Sequence, residues 1–171
     1  MNRRAGHTLL EMLSVLAIAA LLLGMAAPSL QVLLQRQRLT TAVNDFFAAV
    51  TLTRSEALRR GAPVVLLAAG PGWGSGWMVL VDRNGNLRPD PGEEIIASHG
   101  PPPAGIAITS NFNDDSAPYL AYGANGRSRS STGGPQAGSW QFSIGNLKRK
   151  IIVNLLGRPR ACNPELDKST C

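Results

Sequence analysis

The chain is 171 residues long, 44% hydrophobic and 16% charged, and its 17 Lys/Arg outweigh 11 Asp/Glu for a formal net charge of +6. That length fits one domain, or at most two. Its only histidines are His7 and His99, and its only cysteines, Cys162 and Cys171, lie at the extreme C-terminus, which excludes a zinc site and a cysteine nucleophile beside a base.

From Met12 to Gln35 no Asp, Glu, Lys or Arg appears, and most positions are Leu, Ala, Ile, Val or Met. A helix over this run is about 36 Å long at ~1.5 Å per residue, enough to cross a hydrocarbon core of ~30 Å. Arg3 and Arg4 on the short N-terminal side favour a cytoplasmic start, with the bulk of the chain outside. Glu11 stands at the mouth of this run, where a carboxylate is costly without a partner or a purpose. A plain transmembrane anchor explains the length but not Glu11. A secretory signal peptide explains Arg3, Arg4 and a small-residue cut at Gly24–Ala27, but it places Pro28 just after the cut and again ignores Glu11.

Beyond the apolar run the helix is predicted to continue to about Arg60. Leu39, Val43, Phe46, Val50 and Ala57 recur at helical spacings and mark one apolar stripe, while Arg36, Arg38, Asp45, Arg54, Glu56 and Arg59 take other faces. Gly61 and Pro63 end it. Pro63–Ala69 and Trp77–Val81 read as strands of a hairpin, joined by a turn-rich Gly70–Gly76. Further strands are expected near Glu94–Ala97, Ile106–Thr109, Tyr119–Ala121, Trp140–Ile144 and Lys150–Leu156, the last of them central or heavily covered. Stretches 98–105 and 123–139 read as long loops. The expected fold class is therefore α+β, a long N-terminal helix packed on an antiparallel sheet.

Gly6-His7-Thr8-Leu9-Leu10-Glu11 resembles the processing site of type IV pilins and type II secretion pseudopilins. Arg54-Ser55-Glu56-Ala57-Leu58-Arg59-Arg60-Gly61, Gly76-Trp77 leading to Asp82-Arg83-Asn84-Gly85-Asn86, and Gly157-Arg158-Pro159-Arg160 are similar to the GspH/FimT branch of that family. The resemblance implies a pilin-like fold in an inner-membrane protein with a periplasmic C-terminal domain. It implies a leader, residues 1–6, removed by a prepilin peptidase after Gly6, with methylation of the new N-terminus at His7. A helix over 7–60, membrane-spanning to about 34, and a β-rich domain over 61–171 follow. Pro28 falls where the family's helix is commonly kinked or melted. Glu11 becomes the fifth residue of the mature chain, and its carboxylate is implied to pair with a neighbouring subunit's N-terminal amine during assembly. The implied partners are other major and minor pilins or pseudopilins, and no cofactor is expected.

The two cysteines are expected to join in a periplasmic domain, closing a short loop worth about 2–3 kcal/mol in the chain-entropy model; the alternative is a pair of free thiols on a frayed tail. Catalysis is not expected. A Ser–His–Asp triad is a spatial matter, but no Gly-x-Ser-x-Gly elbow occurs and His99 reads as a solvated loop residue. The glycines of 70–76 miss phosphate-loop spacing and lead into a strand. Asp82, Asn84, Asn86, Asp90 and Glu93 follow a calcium-loop spacing, but Leu87 replaces the glycine at its sharp turn and no helices flank it, so an acidic hairpin turn is the better reading.

Charge is unevenly spread. Residues 82–115 hold Asp82, Asp90, Glu93, Glu94, Asp114 and Asp115 against Arg83 and Arg88. Residues 127–171 hold Arg127, Arg129, Lys148, Arg149, Lys150, Arg158, Arg160 and Lys168 against Glu165 and Asp167. A basic region outside the membrane fits an anionic partner, and a solvated basic face is the plainer alternative. In Gly157-Arg158-Pro159-Arg160 the proline keeps the backbone extended, so the arginines project to one side about 6–7 Å apart. Gly157 leaves room for close backbone approach, and a guanidinium fork suits phosphate. The resemblance adds that FimT-type minor pilins carry a Gly-Arg-x-Arg motif here and use it to bind double-stranded DNA in natural transformation. The alternative is a structural GspH-type pseudopilin near the tip of a secretion filament or pilus, with no DNA binding.

Overall fold

The computed structural model describes residues 8–167, 169 and 171. The chain divides into two compact units, residues 1–37 and 38–171. One helix, α1, spans Leu9–Arg60. Thr8 caps it by accepting the Glu11 backbone N–H at 3.3 Å, and it ends where Gly61 turns to φ 61°. In its first part the leucines from Leu9 to Leu34 are exposed, and the most apolar stretch has a mean hydropathy of 2.3. By length and composition this helix can cross a membrane. It runs as one helix through Pro28, where the resemblance implied a kink or a melted turn. A proline deletes one backbone hydrogen bond without obliging the flanking turns to unwind.

Residues 38–171 carry two antiparallel sheets where a single one was expected. The first has the order β3-β2-β1-β5-β6, built from β1 (Val64–Ala68), β2 (Trp77–Val81), β3 (Ile95–His99), β5 (Tyr119–Tyr122) and β6 (Ser128–Arg129). The second has the order β4-β7-β8-β9, built from β4 (Ala107–Phe112), β7 (Gly138–Ile144), β8 (Leu147–Val153) and β9 (Pro159–Cys162). The predicted helical stripe is buried throughout: Leu39, Val43, Phe46, Val50 and Ala57 join Leu66, Trp77, Val79, Trp140, Phe142 and Ile151 in one core. Phe46 sits at its centre, with edge contacts to Trp73, Trp77, Trp140 and Phe142 at ring separations of 4.8–5.3 Å. The other face of the first sheet buries Val65, Leu67, Leu80 and Tyr119 under Met78, Leu87 and Ala121. An ion-pair chain ties the helix end to the start of β3: Arg60 bridges Glu56 at 2.7 Å and Glu94 at 2.6 Å.

Three loop assignments differ from expectation. His99 is exposed as expected, but it closes β3 rather than lying in a loop, and it stacks flat on Trp77 at 4.3 Å. Segment 123–139 contains β6 and the fully buried Gln136, whose amide bonds the Tyr119 and Ala121 backbone. The strand expected over Lys150–Leu156 starts earlier and stops at Val153, because Asn154 begins a tight turn. It does lie between two neighbours, β7 and β9.

Candidate functional site

The Gly-Arg-Pro-Arg segment sits at the junction between the two sheets. Residues 154–157 form a turn in which the Gly157 N–H donates to the Asn154 carbonyl at 2.8 Å. The Asn154 side chain accepts the N–H groups of Leu156 at 3.0 Å and Arg158 at 2.9 Å, so one asparagine fixes the entry to the arginines. Gly157 has φ 74°, and a Cβ there would lie 2.8 Å from the Ser128 nitrogen and 3.0 Å from the Gly126 carbonyl. Tyr122, fully buried on β5, donates its hydroxyl to the Gly157 carbonyl at 2.9 Å. The glycine therefore lets the turn sink against the β5–β6 connection.

That contact brings Arg127 and Arg158 to either side of one backbone junction. Gly126 is held from the helix as well, its carbonyl accepting the Arg54 Nε–H at 2.9 Å. Arg127 and Arg129, both exposed, line a cleft of about 170 Å³ with Pro135 and Leu155. Sequence distance conceals this grouping, since some thirty residues separate Arg127 from Arg158.

Arg160 belongs to β9, opposite Ile152, and Lys150 lies opposite Cys162. Strand alternation therefore puts Lys148, Lys150 and Arg160 on one face of the second sheet, with Ser139, Gln141 and Ser143 of β7 beside them. Arg149 does not share that face. The same alternation turns it toward Thr40 and Asn44 of α1, where Asp167 also lines the pocket. A run of three basic residues in a strand cannot present one surface. Arg158 and Arg160, two residues apart, link the Arg127 group to the Lys148 and Lys150 face.

Cys162 and Cys171 are bonded to each other, which ties the C-terminal segment back to the end of β9. Lys168 lies outside the described residues, as do Gly6 and His7. Glu11 lies in the first turn of α1.

The acidic loop is internally satisfied. Buried Asp82 accepts the N–H groups of Gly85, Asn86 and Leu87 at 2.8–3.2 Å, and Asp90 accepts the side-chain amides of Asn84 and Asn86. Glu93 accepts the N–H groups of Arg83 and Asp90. Leu87 takes φ 61° at the position where a calcium loop has glycine, and its side chain packs on the second apolar cluster. The loop's carboxylates thus bond its own backbone and amides. Among the described residues no group of three or more His, Cys, Asp or Glu could hold a metal ion.

Residues 42–157 match the family model described as type II transport protein GspH. The chain belongs to the GspH family. Residues 1–27 of this GspH-family chain also match the prokaryotic N-terminal methylation motif. The pilin-like protein PilA1 of Thermus thermophilus is 46% identical over 96 residues, which are 56% of this chain and 60% of that protein. The matched stretch is thus about three-fifths of the relative's length. Among solved structures, the type IV minor pilin FimU of Pseudomonas aeruginosa PAO1 superposes with a TM-score of 0.59 at 18% identity, covering 77% of this chain and 92% of FimU. The minor pseudopilin EpsH of the Vibrio cholerae type 2 secretion system gives a TM-score of 0.54 at 12% identity, covering 73% and 96%. At those identities the likeness shows the pilin fold.

Tyr122 carried no readable signal of its role in the sequence, and Arg127, read there as part of the basic region, gave no sign of its nearness to the Gly157 turn. Tyr122 looks like any strand aromatic, and its partner, the Gly157 carbonyl, is 35 positions away. Arg127 looks like any loop cation until the Gly157 turn is seated beside it. Asn154 is different: Asn-x-x-Gly at a strand end is a turn signature that marks where β8 stops.

Proposed function

We propose that this GspH-family chain is a minor pilin of a type IV pilus-like filament that binds duplex DNA without sequence preference for uptake. In this reading α1 holds the unassembled subunit in the inner membrane with residues 61–171 in the periplasm. The leader is cut after Gly6, His7 is methylated, and Glu11 pairs with a neighbouring pilin's N-terminal amine. DNA phosphates are met by Arg127, Arg129 and Arg158 beside the Gly157 turn, continuing over Arg160, Lys150 and Lys148. Arg149 is left out, because it faces α1.

The observation that carries this reading is the seating of Gly157 against Gly126 and Ser128, which joins two basic groups distant in sequence. Phosphate contacts of this kind need charge and reach but no base-specific groove fit. The test is titration of the detergent-solubilised full chain with several unrelated duplexes at low and moderate salt. Equal, salt-sensitive affinities are expected. Absence of binding at low salt would leave a structural pseudopilin, whose contacts are with other pilins alone.

A further inference from the structure

We propose that the turn Asn154–Gly157 is a wedge: its two leucines enter the minor groove of duplex DNA at an unstacked base step, while the arginines beside it hold the phosphates. This inference rests on the DNA-binding reading above and deepens it, from phosphate contacts alone to a contact inside the duplex.

The tip is apolar and fixed. Leu155 and Leu156 are 58% and 46% exposed, at positions where a solvated turn ordinarily takes polar residues or glycine. Among the described residues of 38–171 no other two sequence neighbours are both large, hydrophobic and exposed. Neither leucine packs on either apolar cluster of the fold, so folding does not require them. The Asn154 side chain accepts the Leu156 and Arg158 N–H groups, and the Gly157 N–H returns to the Asn154 carbonyl. The pair is thus presented on a backbone with little freedom left to lose on contact.

The surroundings are cationic. Leu155 lines the cleft of about 170 Å³ together with Arg127, Arg129 and Pro135, and among the described residues no Asp or Glu lines it. Arg158 follows the turn directly, and Gly157 seats the turn against Gly126 and Ser128, which flank Arg127 in the chain. The minor groove of a duplex offers both features such a tip needs. Unstacking one step exposes apolar base faces, and a phosphate rail runs along each side. At about 6 Å wide the groove takes single side chains from a turn but not a helix. Arg127 and Arg129 line a cleft, which suits a narrow phosphate rail better than a flat sheet of lipid headgroups.

The wedge and the phosphate contacts leave different signatures. Opening one base step costs stacking, which is offset by burying the two leucines and by drawing the arginines closer to both strands. The cost is lowest where the duplex is already weak, at a flexible pyrimidine–purine step or a mismatch. Unrelated duplexes of mixed sequence all contain flexible steps, so their affinities stay alike without any base-edge readout. Arginines on phosphate release counterions and leucines between bases do not. The leucines therefore add affinity without steepening the salt dependence.

The test uses the full chain in phosphatidylcholine nanodiscs and two short duplexes of one sequence, one fully matched and one with a central T·T mismatch flanked by 2-aminopurine. The mismatched duplex should bind about fivefold more tightly, because part of its unstacking is already done. Its 2-aminopurine fluorescence should rise on binding as that base loses its stacking neighbour. Leu155→Ser with Leu156→Ser should abolish the mismatch preference and the fluorescence rise, and weaken matched binding about tenfold at an unchanged salt slope. Arg158→Gln with Arg160→Gln should flatten the slope while the remaining binding keeps its mismatch preference. Salt-sensitive binding with equal affinity for both duplexes and steady fluorescence would overturn the wedge and leave the phosphate contacts standing. No binding to either duplex would remove both. A benzophenone amino acid replacing Leu156 should crosslink to the duplex on irradiation; crosslinks only to protein or lipid with DNA present would also overturn the wedge.

Discussion

Tyr122 and Gly157 are joined by a 2.9 Å hydrogen bond between a phenol and a main-chain carbonyl, both buried. The bond locks the turn that carries Arg158 to the strand that leads to Arg127. Tyr122→Phe should cost about 1–2 kcal/mol, the desolvation penalty of the carbonyl left without its donor. Gly157→Ala should cost more, about 2 kcal/mol or above, since it combines a left-handed φ of 74° with a methyl 2.8 Å from backbone. Denaturant unfolding of both variants in detergent checks this. A Gly157→Ala chain as stable as the wild type would contradict the packed junction.

Stability should fall at both ends of the pH range. Burial pushes the Tyr122 phenol above its usual range, and burial followed by the Asp114 carboxylate brings Tyr119 to about 12. An unfolded tyrosine loses its proton near pH 10. Between there and the folded values only the unfolded chain releases protons, so stability declines as pH rises. Asp114 acts at the other end: the Tyr119 hydroxyl, then Ser131 and Ser116, hold its carboxyl well below the ordinary range. Its contribution is present above about pH 4 and is lost as pH drops. Thermal unfolding across pH should show Tyr119→Phe reducing both the alkaline and the acid decline. An unchanged profile would contradict the Asp114–Tyr119 pairing.

The Cys162–Cys171 bond should stabilise the fold by about 2–3 kcal/mol for a loop this short. Replacing both cysteines with serine should lower the thermal midpoint by several degrees. Thiol labelling of the denatured, unreduced chain should find no free sulfhydryl. Two labelled thiols would contradict the bridge.

The processing proposal makes a mass prediction. Membrane-extracted protein should lack residues 1–6 and carry one added methyl at His7. Glu11→Ala should be cut yet fail to assemble, because a neighbour's buried amine would lack its partner. An uncut chain, or normal filament entry by Glu11→Ala, would contradict it.

Periodic signals in the sequence led to the parts of the fold that are periodic. The five-residue stripe from Leu39 to Ala57 is buried as read, and Trp77–Val81 matches β2 residue for residue. β6 was invisible because a two-residue strand has no period, and its stability comes from Gln136 bonding across the hairpin. The division into two sheets was equally hidden, since pairing partners such as Thr109 and Gln141 are nowhere adjacent in sequence. At the candidate site, the extended backbone at Pro159 and Arg160 was legible from Pro159, whereas Gly157 is left-handed and closes a turn. The partnership of Arg158 with Arg127 was not legible, because it depends on a glycine seated against a distant turn. Nor could Lys148-Arg149-Lys150 be separated into two faces without knowing that all three lie in β8.

The salt dependence of duplex binding tests the central claim most directly. With three or four of the six basic residues on phosphate at one time, log affinity falls against log salt with a slope near −3. Arg158→Gln with Arg160→Gln should weaken every duplex about equally and flatten that slope by roughly two. Lys148→Gln with Lys150→Gln, farther from the Gly157 turn, should have a smaller effect. A wild-type chain with no salt-sensitive binding, or a lysine pair as damaging as the arginine pair, would contradict the assignment of DNA to this turn.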